Sequence, residues 1–397
     1  MIQSSYDFIA PGKIVFGWQR RYEITEHVRR LGDRVHVICG SRTINEGGEL
    51  AKLADLLKAD NLPLVDIEMQ THEPTVEDVD RLTRKYLAAG VRISNGDMFI
   101  ALGGGSAIDV TKAVCAMIPN FTEKHGSVRD FLEGVGCGAK IVNDPIPMIA
   151  VPTTAGTGAE ATKNAVIASY DPPFKKSLRD DRLMPRMAII DPELTLSNPP
   201  FITASSGMDT ITQLIESFIS RKSRPIPQSL AVQGLRLAFF ALPKAYSESG
   251  NREAREKMAH AALLSGICLA NAGLGMVHGI SPALGTHGRV PHGEACAILL
   301  PRAMRVNAEV SWKRFVLLAT VLFPNTYFAN EEEAVETLFY EVSMLCNTLN
   351  IPRRLSEVGI RETQLPAIVA DCRGNSMSAN PKELTDEEIF HFLKDLL

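Results

Sequence analysis

The segment GLGMVHGISPALGTHGRVPHGEA (273–295) places three of the chain's nine histidines among small and apolar residues. His278 and His292 lie fourteen apart, and each is followed by glycine. A second segment, SGMDTITQLIES (206–217), reads as a helix with Asp209 and Gln213 four apart on one face, flanked by isoleucines and a leucine. A carboxylate in such surroundings is costly to bury unless it is paired or bound to a cation. Asp209, His278 and His292 together offer oxygen and nitrogen donors suited to zinc or iron(II), with a position left open for substrate. No fixed motif such as HExxH links them. Spacing alone therefore leaves a second reading standing: a histidine hydrogen-bonded in the core, and Asp209 paired with an arginine or lysine.

A different chemistry is suggested by FIALGGGSAIDVTKAV (99–114), which reads as a buried strand, a glycine turn and a helix start. Gly103, Gly104 and Gly105 would let backbone approach a ligand, and the helix N-terminus would present its N–H groups to a phosphate, with Ser106 adding a hydroxyl. It is neither GxGxxG nor a Walker loop, so alone it is equally a tight turn. VPTTAGTGAEAT (151–162) leaves another strand through Thr153 and Thr154. Ligands bind outside the carboxyl ends of strands in open α/β sheets, so two such loops at one sheet edge favour a dinucleotide site.

The elements that must position these residues divide at about residue 197. Before it, β-rich runs at 34–40, 97–105, 146–154 and 187–193 alternate with amphipathic stretches at 48–60 and 75–90, the pattern of a doubly wound α/β sheet. GKIVFG (12–17) reads as a separate strand or part of an edge hairpin. Beyond it, helical patterns run over 203–220, 227–247, 251–280, 295–320 and 331–350 and in the C-terminal TDEEIFHFLKDLL, where Thr385 and Glu388 have capping-box spacing. The expected organisation is an α/β dinucleotide-binding domain over 1–196 and an all-helical metal-bearing domain over 197–397.

The totals exclude several classes. A chain of 397 residues exceeds one ordinary core. A net charge of −4 and a pI near 6.2 give no basic footprint for nucleic acid. No apolar run reaches bilayer-spanning length and the N-terminus lacks the plan of a signal peptide, so no membrane association and a cytoplasmic location are expected. The seven cysteines are scattered without a CxxC pair, which argues for reduced core thiols and against a thiolate zinc site.

Taken together, GKIVFG, GGGSAIDVTKA, VPTTAGTGAEAT, DPELT, GMD, VHGI…LG, PHGEACAILLP and the tail GNSMSANPKELTDEEI, in this order, resemble the iron-containing (group III) alcohol dehydrogenase family over essentially the full length. The resemblance implies a small alcohol or aldehyde substrate, NAD(P)(H), a divalent metal (Fe2+ or Zn2+) and a homo-oligomer, often a dimer. It places cofactor positions on Gly103, Gly104, Ser106, Thr153, Thr154 and Lys176, with Gly105 and Asp109 in the same glycine motif. It also implies metal ligands at an Asp, a His four residues on, and two later histidines. Asp209, His278 and His292 match three of these. Gln213 stands where the usual iron enzymes have histidine, and a neutral amide oxygen is a weaker ligand. The position four after His278, a histidine in many members, is Pro282.

NAD-preferring members often carry an aspartate after the strand that matches VHVIC. Here the chain reads Gly40-Ser41-Arg42, which could receive a 2′-phosphate and leans toward NADP(H). The expected reaction is hydride transfer between nicotinamide and a small alcohol or aldehyde, with Asp209, His278 and His292 as the catalytic set. The alternatives are a metal-free reductase like maleylacetate reductase, a lyase like 3-dehydroquinate synthase, and a non-catalytic NAD(P)-binding protein.

Overall fold

The computed structural model describes residues 5–40 and 42–397, apart from the side chains of residues 42 and 43. Residues Ile9–Ser197 form one compact unit. Asn198–Leu397 form the other, and residues 5–8 group with it.

The first unit holds strands β1 (Lys13–Phe16), β2 (Arg34–Cys39), β3 (Leu64–Met69), β4 (Asp97–Gly103), β5 (Met148–Pro152), β6 (Asn164–Tyr170), β7 (Pro173–Arg179) and β8 (Met187–Ile190). Its helices are α1 (Ile24–Val28), α2 (Arg42–Glu46), α3 (Glu49–Ala59), α4 (Val76–Ala88) and α5 (Gly105–Asn120). Six strands make an all-parallel sheet in the order β1-β8-β5-β4-β2-β3. The central strands are continuous hydrophobic runs because both sheet faces are covered. Val37, Ile100 and Val151 pack toward α3, whereas Ile38, Phe99 and Ala150 pack toward α4 and α5.

GKIVFG contributes the parallel edge strand β1, beside β8, and not a hairpin. Two features lie outside the sequence expectation. The strand β3 has inverted polarity: Val65, Ile67 and Met69 are exposed, while Asp66 and Glu68 turn to Lys85 on α4 at 2.7 and 2.5 Å. The antiparallel pair β6–β7 forms a separate two-stranded sheet.

The second unit is all helical: α6 (Pro200–Ile219), α7 (Pro225–Ser247), α8 (Arg252–Ala272), α9 (Met276–Gly288), α10 (His292–Leu322), α11 (Glu331–Thr348), α12 (Leu365–Asp371), α13 (Asn375–Ser378) and α14 (Asp386–Lys394). The Thr385/Glu388 capping box opens α14 as its spacing predicts. The helix expected over 251–280 is two helices. Gly273 adopts φ +65° after α8, and the chain turns by 103° into α9. His278 therefore sits in the first turn of a new helix and not in the middle of a long one. No single helix among the described residues is long and apolar enough to cross a membrane. The bent pair α8–α9 meets the length and composition criterion only jointly, and most of its residues are buried in the helical unit.

Candidate functional site

In the α/β unit, three loops leave adjacent strands at their carboxyl ends. β2 and β3 run to one side and β4, β5 and β8 to the other, so the strand order reverses between β2 and β4, where open α/β sheets form ligand crevices. Gly40 follows β2 and its N–H donates to Leu102 O on β4 at 2.9 Å. The Thr153 N–H, after β5, donates to Gly103 O at 3.0 Å. Gly40, Gly103–Ser106 and Thr153–Thr154 are thus brought together.

The glycines have different reasons. A Cβ at Gly103 would lie 2.9 Å from Gly40 N, and one at Gly105 would lie 2.9 Å from the Thr157 hydroxyl oxygen, so these two serve loop-on-loop packing inside the protein. Only at Gly104 is there room, with the nearest atom, on Thr154, at 3.4 Å. Close approach to a ligand was the reason expected for all three.

Asp109 faces inward: its carboxylate accepts the Val166 N–H at 2.9 Å and ties α5 to β6. Burial pushes it up to about 6 against the opposing pull of Lys112. Lys176 lies on β7 opposite Ile167. The Ser41 and Arg42 side chains lie outside the described residues.

In the helical unit, Asp209 (α6), His278 (α9) and His292 (α10) converge. His278 Nε2 is 3.0 Å and His292 Nε2 3.6 Å from Asp209 Oδ1. Gly293 permits the approach of α10 to α6, since a Cβ there would meet Ser205 O at 2.3 Å. Two further side chains belong to the cluster. Cys296, one turn after His292, has its Sγ 3.7 Å from each histidine Nε2, and one donor atom from each of Asp209, His278, His292 and Cys296 lies within 4.8 Å of the others.

Glu216, two turns after Asp209, accepts the His278 Nδ1–H at 2.7 Å and the backbone N–H groups of Val277 and His278 at 2.7 and 3.3 Å. One carboxylate thereby caps α9 and fixes the imidazole, because it can only accept and so holds the proton on Nδ1, leaving Nε2 turned to Asp209. The signals for both residues were helical periods: His292 plus four and Asp209 plus seven.

Gln213 does not turn its amide oxygen to the cluster. That oxygen accepts from Ser265 at 2.9 Å, and the side chain also hydrogen-bonds Asp209. His287 bonds Asp371 at 2.5 Å.

Electrostatics couple the four donors. Burial alone would raise the acids and lower the bases, but their neighbours outweigh it. The two imidazoles beside Cys296 and Asp209 are held above their usual range, and the Asp209 carboxyl and Cys296 thiol below theirs. His292 Nδ1 is buried without a hydrogen-bond partner. One carboxylate oxygen, two imidazole nitrogens and one sulfur, converging within 4.8 Å, form a donor set that fits a divalent cation.

The profile described as iron-containing alcohol dehydrogenase matches residues 11–192, and that of the Fe-containing alcohol dehydrogenase family, C-terminal, matches 203–397. The chain is 33% identical to the lactaldehyde reductase of Escherichia coli (strain K12) over 368 residues, 92% of this chain and 93% of that one. It is 30% identical to the 1,3-propanediol dehydrogenase of Citrobacter freundii over 97% of both chains. The crystal structure of sulfoacetaldehyde reductase from Bifidobacterium kashiwanohense, in complex with NAD+, superposes with a TM-score of 0.85 at 30% identity, covering 99% of this chain and 98% of that one. With both halves matched and relatives this similar along nearly the whole length, the chain belongs to the iron-containing alcohol dehydrogenase family, oxidoreductases acting on CH–OH groups with NAD(P) and a divalent metal.

Proposed function

We propose that this protein is a metal-dependent, NAD(P)-linked alcohol dehydrogenase that also runs as an aldehyde reductase. The observation that carries this reading is the convergence of Asp209, His278 and His292, with His278 oriented by Glu216. In this reading residues 1–196 are the dinucleotide-binding domain and 197–397 the metal-bearing domain. When bound, the divalent ion supplies Lewis acidity toward the alcohol oxygen and the nicotinamide accepts or returns the hydride.

The chain's own residues do the rest. Asp209, His278 and His292 hold the cation, and Glu216 keeps the proton of His278 on the nitrogen turned away from it. Gly104 and Ser106, at the start of α5, and Thr153 and Thr154, after β5, receive the pyrophosphate. The helix N-terminus there favours an anion. Lys176 completes the cofactor side, while Gly105, packed on Thr157, and Asp109, bonded to Val166, hold the loop in place.

Relatives named lactaldehyde reductase and 1,3-propanediol dehydrogenase support short diols and hydroxyaldehydes as first substrates. Gly40-Ser41-Arg42, with no carboxylate after β2, supports NADP(H) over NAD(H). A homodimer, as the family resemblance implies, in the cytoplasm, as the sequence pattern led us to expect, completes the reading; light scattering and cell fractionation test those two points.

The central experiment measures metal content and turnover together. Protein purified without chelator and its Asp209→Ala variant are assayed with lactaldehyde and 1,3-propanediol, each with NADPH/NADP+ and NADH/NAD+. About one divalent ion per chain, lost with activity in the variant, is the expected result. Turnover of fully metal-free protein would overturn the metal reading, and equal or better kcat/KM with the NAD pair would overturn the NADP preference.

A further inference from the structure

Cys296 is a buried thiol that neither cofactor binding nor the three expected ligands account for. It projects from the first turn and a half of α10, four residues after His292, and so shares that histidine's helix face. Its sulfur lies 3.7 Å from His278 Nε2 and 3.7 Å from His292 Nε2, and 3.2 Å from the Ser281 hydroxyl. Meanwhile Gln213, the side chain one turn beyond Asp209, has its oxygen engaged by Ser265 and also bonds Asp209.

We propose that Cys296 supplies a thiolate as the fourth metal ligand, so that the ion is held by Asp209, His278, His292 and Cys296, with Gln213 acting only to position Asp209. This rests on the metal-dependent reading above and adds to it the identity of a donor and, through that donor, of the ion.

The spacing agrees with four donors arranged tetrahedrally, and the alcohol oxygen would be taken up by expansion of the ion to five coordination. Bonds of about 2.0 Å to nitrogen and oxygen and about 2.3 Å to sulfur put neighbouring donors roughly 3.3–3.7 Å apart. The contacts from His292 to Asp209 and from Cys296 to both imidazoles, 3.6, 3.7 and 3.7 Å, have that size. The hydrogen-bonded pair Asp209–His278, at 3.0 Å, is closer, and all four donor atoms lie within 4.8 Å of one another. The electronic consequence follows from the donor. A thiolate is soft and carries a full negative charge, whereas an imidazole at 213 would be neutral. A set of two nitrogens, one oxygen and one thiolate therefore favours zinc over iron(II), both through sulfur's preference and through the general order of affinities. The ion is bound as the thiolate forms, with the thiol proton released to solvent.

Zinc-loaded full-length protein, its metal content fixed by elemental analysis, is examined by X-ray absorption at the zinc edge beside Cys296→Ser and Gln213→Ala. The expected wild-type spectrum has one sulfur scatterer at about 2.3 Å and the remainder nitrogen or oxygen at about 2.0–2.1 Å. Cys296→Ser keeps a weaker-bound zinc and loses the sulfur shell. Gln213→Ala keeps it. Cobalt-substituted protein gives an independent readout, a sulfur-to-cobalt charge-transfer band present in the wild type and absent from Cys296→Ser. One zinc per chain with only nitrogen and oxygen neighbours would overturn the thiolate while leaving the metal-dependent reading intact. A sulfur shell that persists in Cys296→Ser would also overturn it. Failure of the wild type to bind zinc, cobalt or iron(II) would instead overturn the metal-dependent reading, and the thiolate proposal with it.

Discussion

Replacing Glu216 with glutamine probes how the fold prepares His278. The carboxylate accepts three hydrogen bonds, at 2.7 Å from the Val277 N–H, 2.7 Å from His278 Nδ1 and 3.3 Å from the His278 N–H, and it is buried. Glutamine has the same shape but one accepting oxygen and one donating nitrogen. With the nitrogen toward His278, two donors face each other. The imidazole escapes by moving its proton to Nε2, the atom turned to Asp209, and cannot then offer that lone pair to a cation. With the oxygen toward His278, the Val277 N–H faces an NH2 group, and an unsatisfied buried donor costs about 1–3 kcal/mol of stability.

Both orientations remove a negative charge behind the imidazole and lower its basicity. Loss of such an outer partner costs roughly 10–100-fold in metal affinity, about 1.4–2.7 kcal/mol. The assay is a zinc competition titration against a chromophoric chelator, with thermal unfolding of the same samples. The expected outcome is at least about a tenfold loss of zinc affinity. Affinity within threefold of wild type, with an unchanged melting temperature, would refute the account of Glu216 as the group that sets the His278 tautomer.

The two neighbouring glycines of the cofactor loop should separate. Gly103→Ala puts a Cβ 2.7 Å from Ala107 Cβ and 2.9 Å from Gly40 N, and is expected to cost about 1–3 kcal/mol in denaturant unfolding. Gly104→Ala, with 3.4 Å clearance, should leave stability nearly unchanged but weaken NADPH binding in a fluorescence titration; the reverse pattern would remove Gly104 from the cofactor site. Gly293→Ala places its Cβ 2.3 Å from Ser205 O, so α10 must move off α6. Zinc content should fall with the melting temperature, and normal zinc content would count against this contact as the device that brings His292 in. Burial pushes Glu160 up to about 7, with Lys112 pulling the other way. The folded state therefore prefers the protonated acid, and this stabilisation is complete below about pH 4.5 and lost as pH rises through about 7. The loss is about 3 kcal/mol. Asp109 acts in the same sense at lower pH and Lys112, pushed down to about 8, acts above this window. Glu160→Gln should flatten the fall in denaturation free energy between pH 5 and 8, and an unchanged slope would assign it to other groups.

Much of this protein was legible before any coordinates. Continuous apolar runs bounded by glycine mark the central parallel strands, because only strands covered on both faces tolerate them. The Asp209/Gln213 spacing and the histidine pair identify three of the clustered donors. Local chemistry sufficed there, because helical and strand periods are properties of contiguous residues. Other features were decided in three dimensions. The strand β3 hid because its acids, not its apolar residues, face the helix that covers it. The break at Gly273 hid inside an apolar run whose composition suits one long helix, yet it turns His278 into a capped first turn.

Above all, the sequence determined which donors exist, but not which of them meet. Cys296 reads as one more core thiol, and Gln213 as a substitute ligand. Only the packing of α6, α8, α9 and α10 turns the amide oxygen of Gln213 to Ser265 and the sulfur of Cys296 toward both histidines. Periodicity places a residue on a face of its own helix, whereas a coordination site depends on the rotation and distance of several helices at once, and those are set by contacts between residues far apart in the chain.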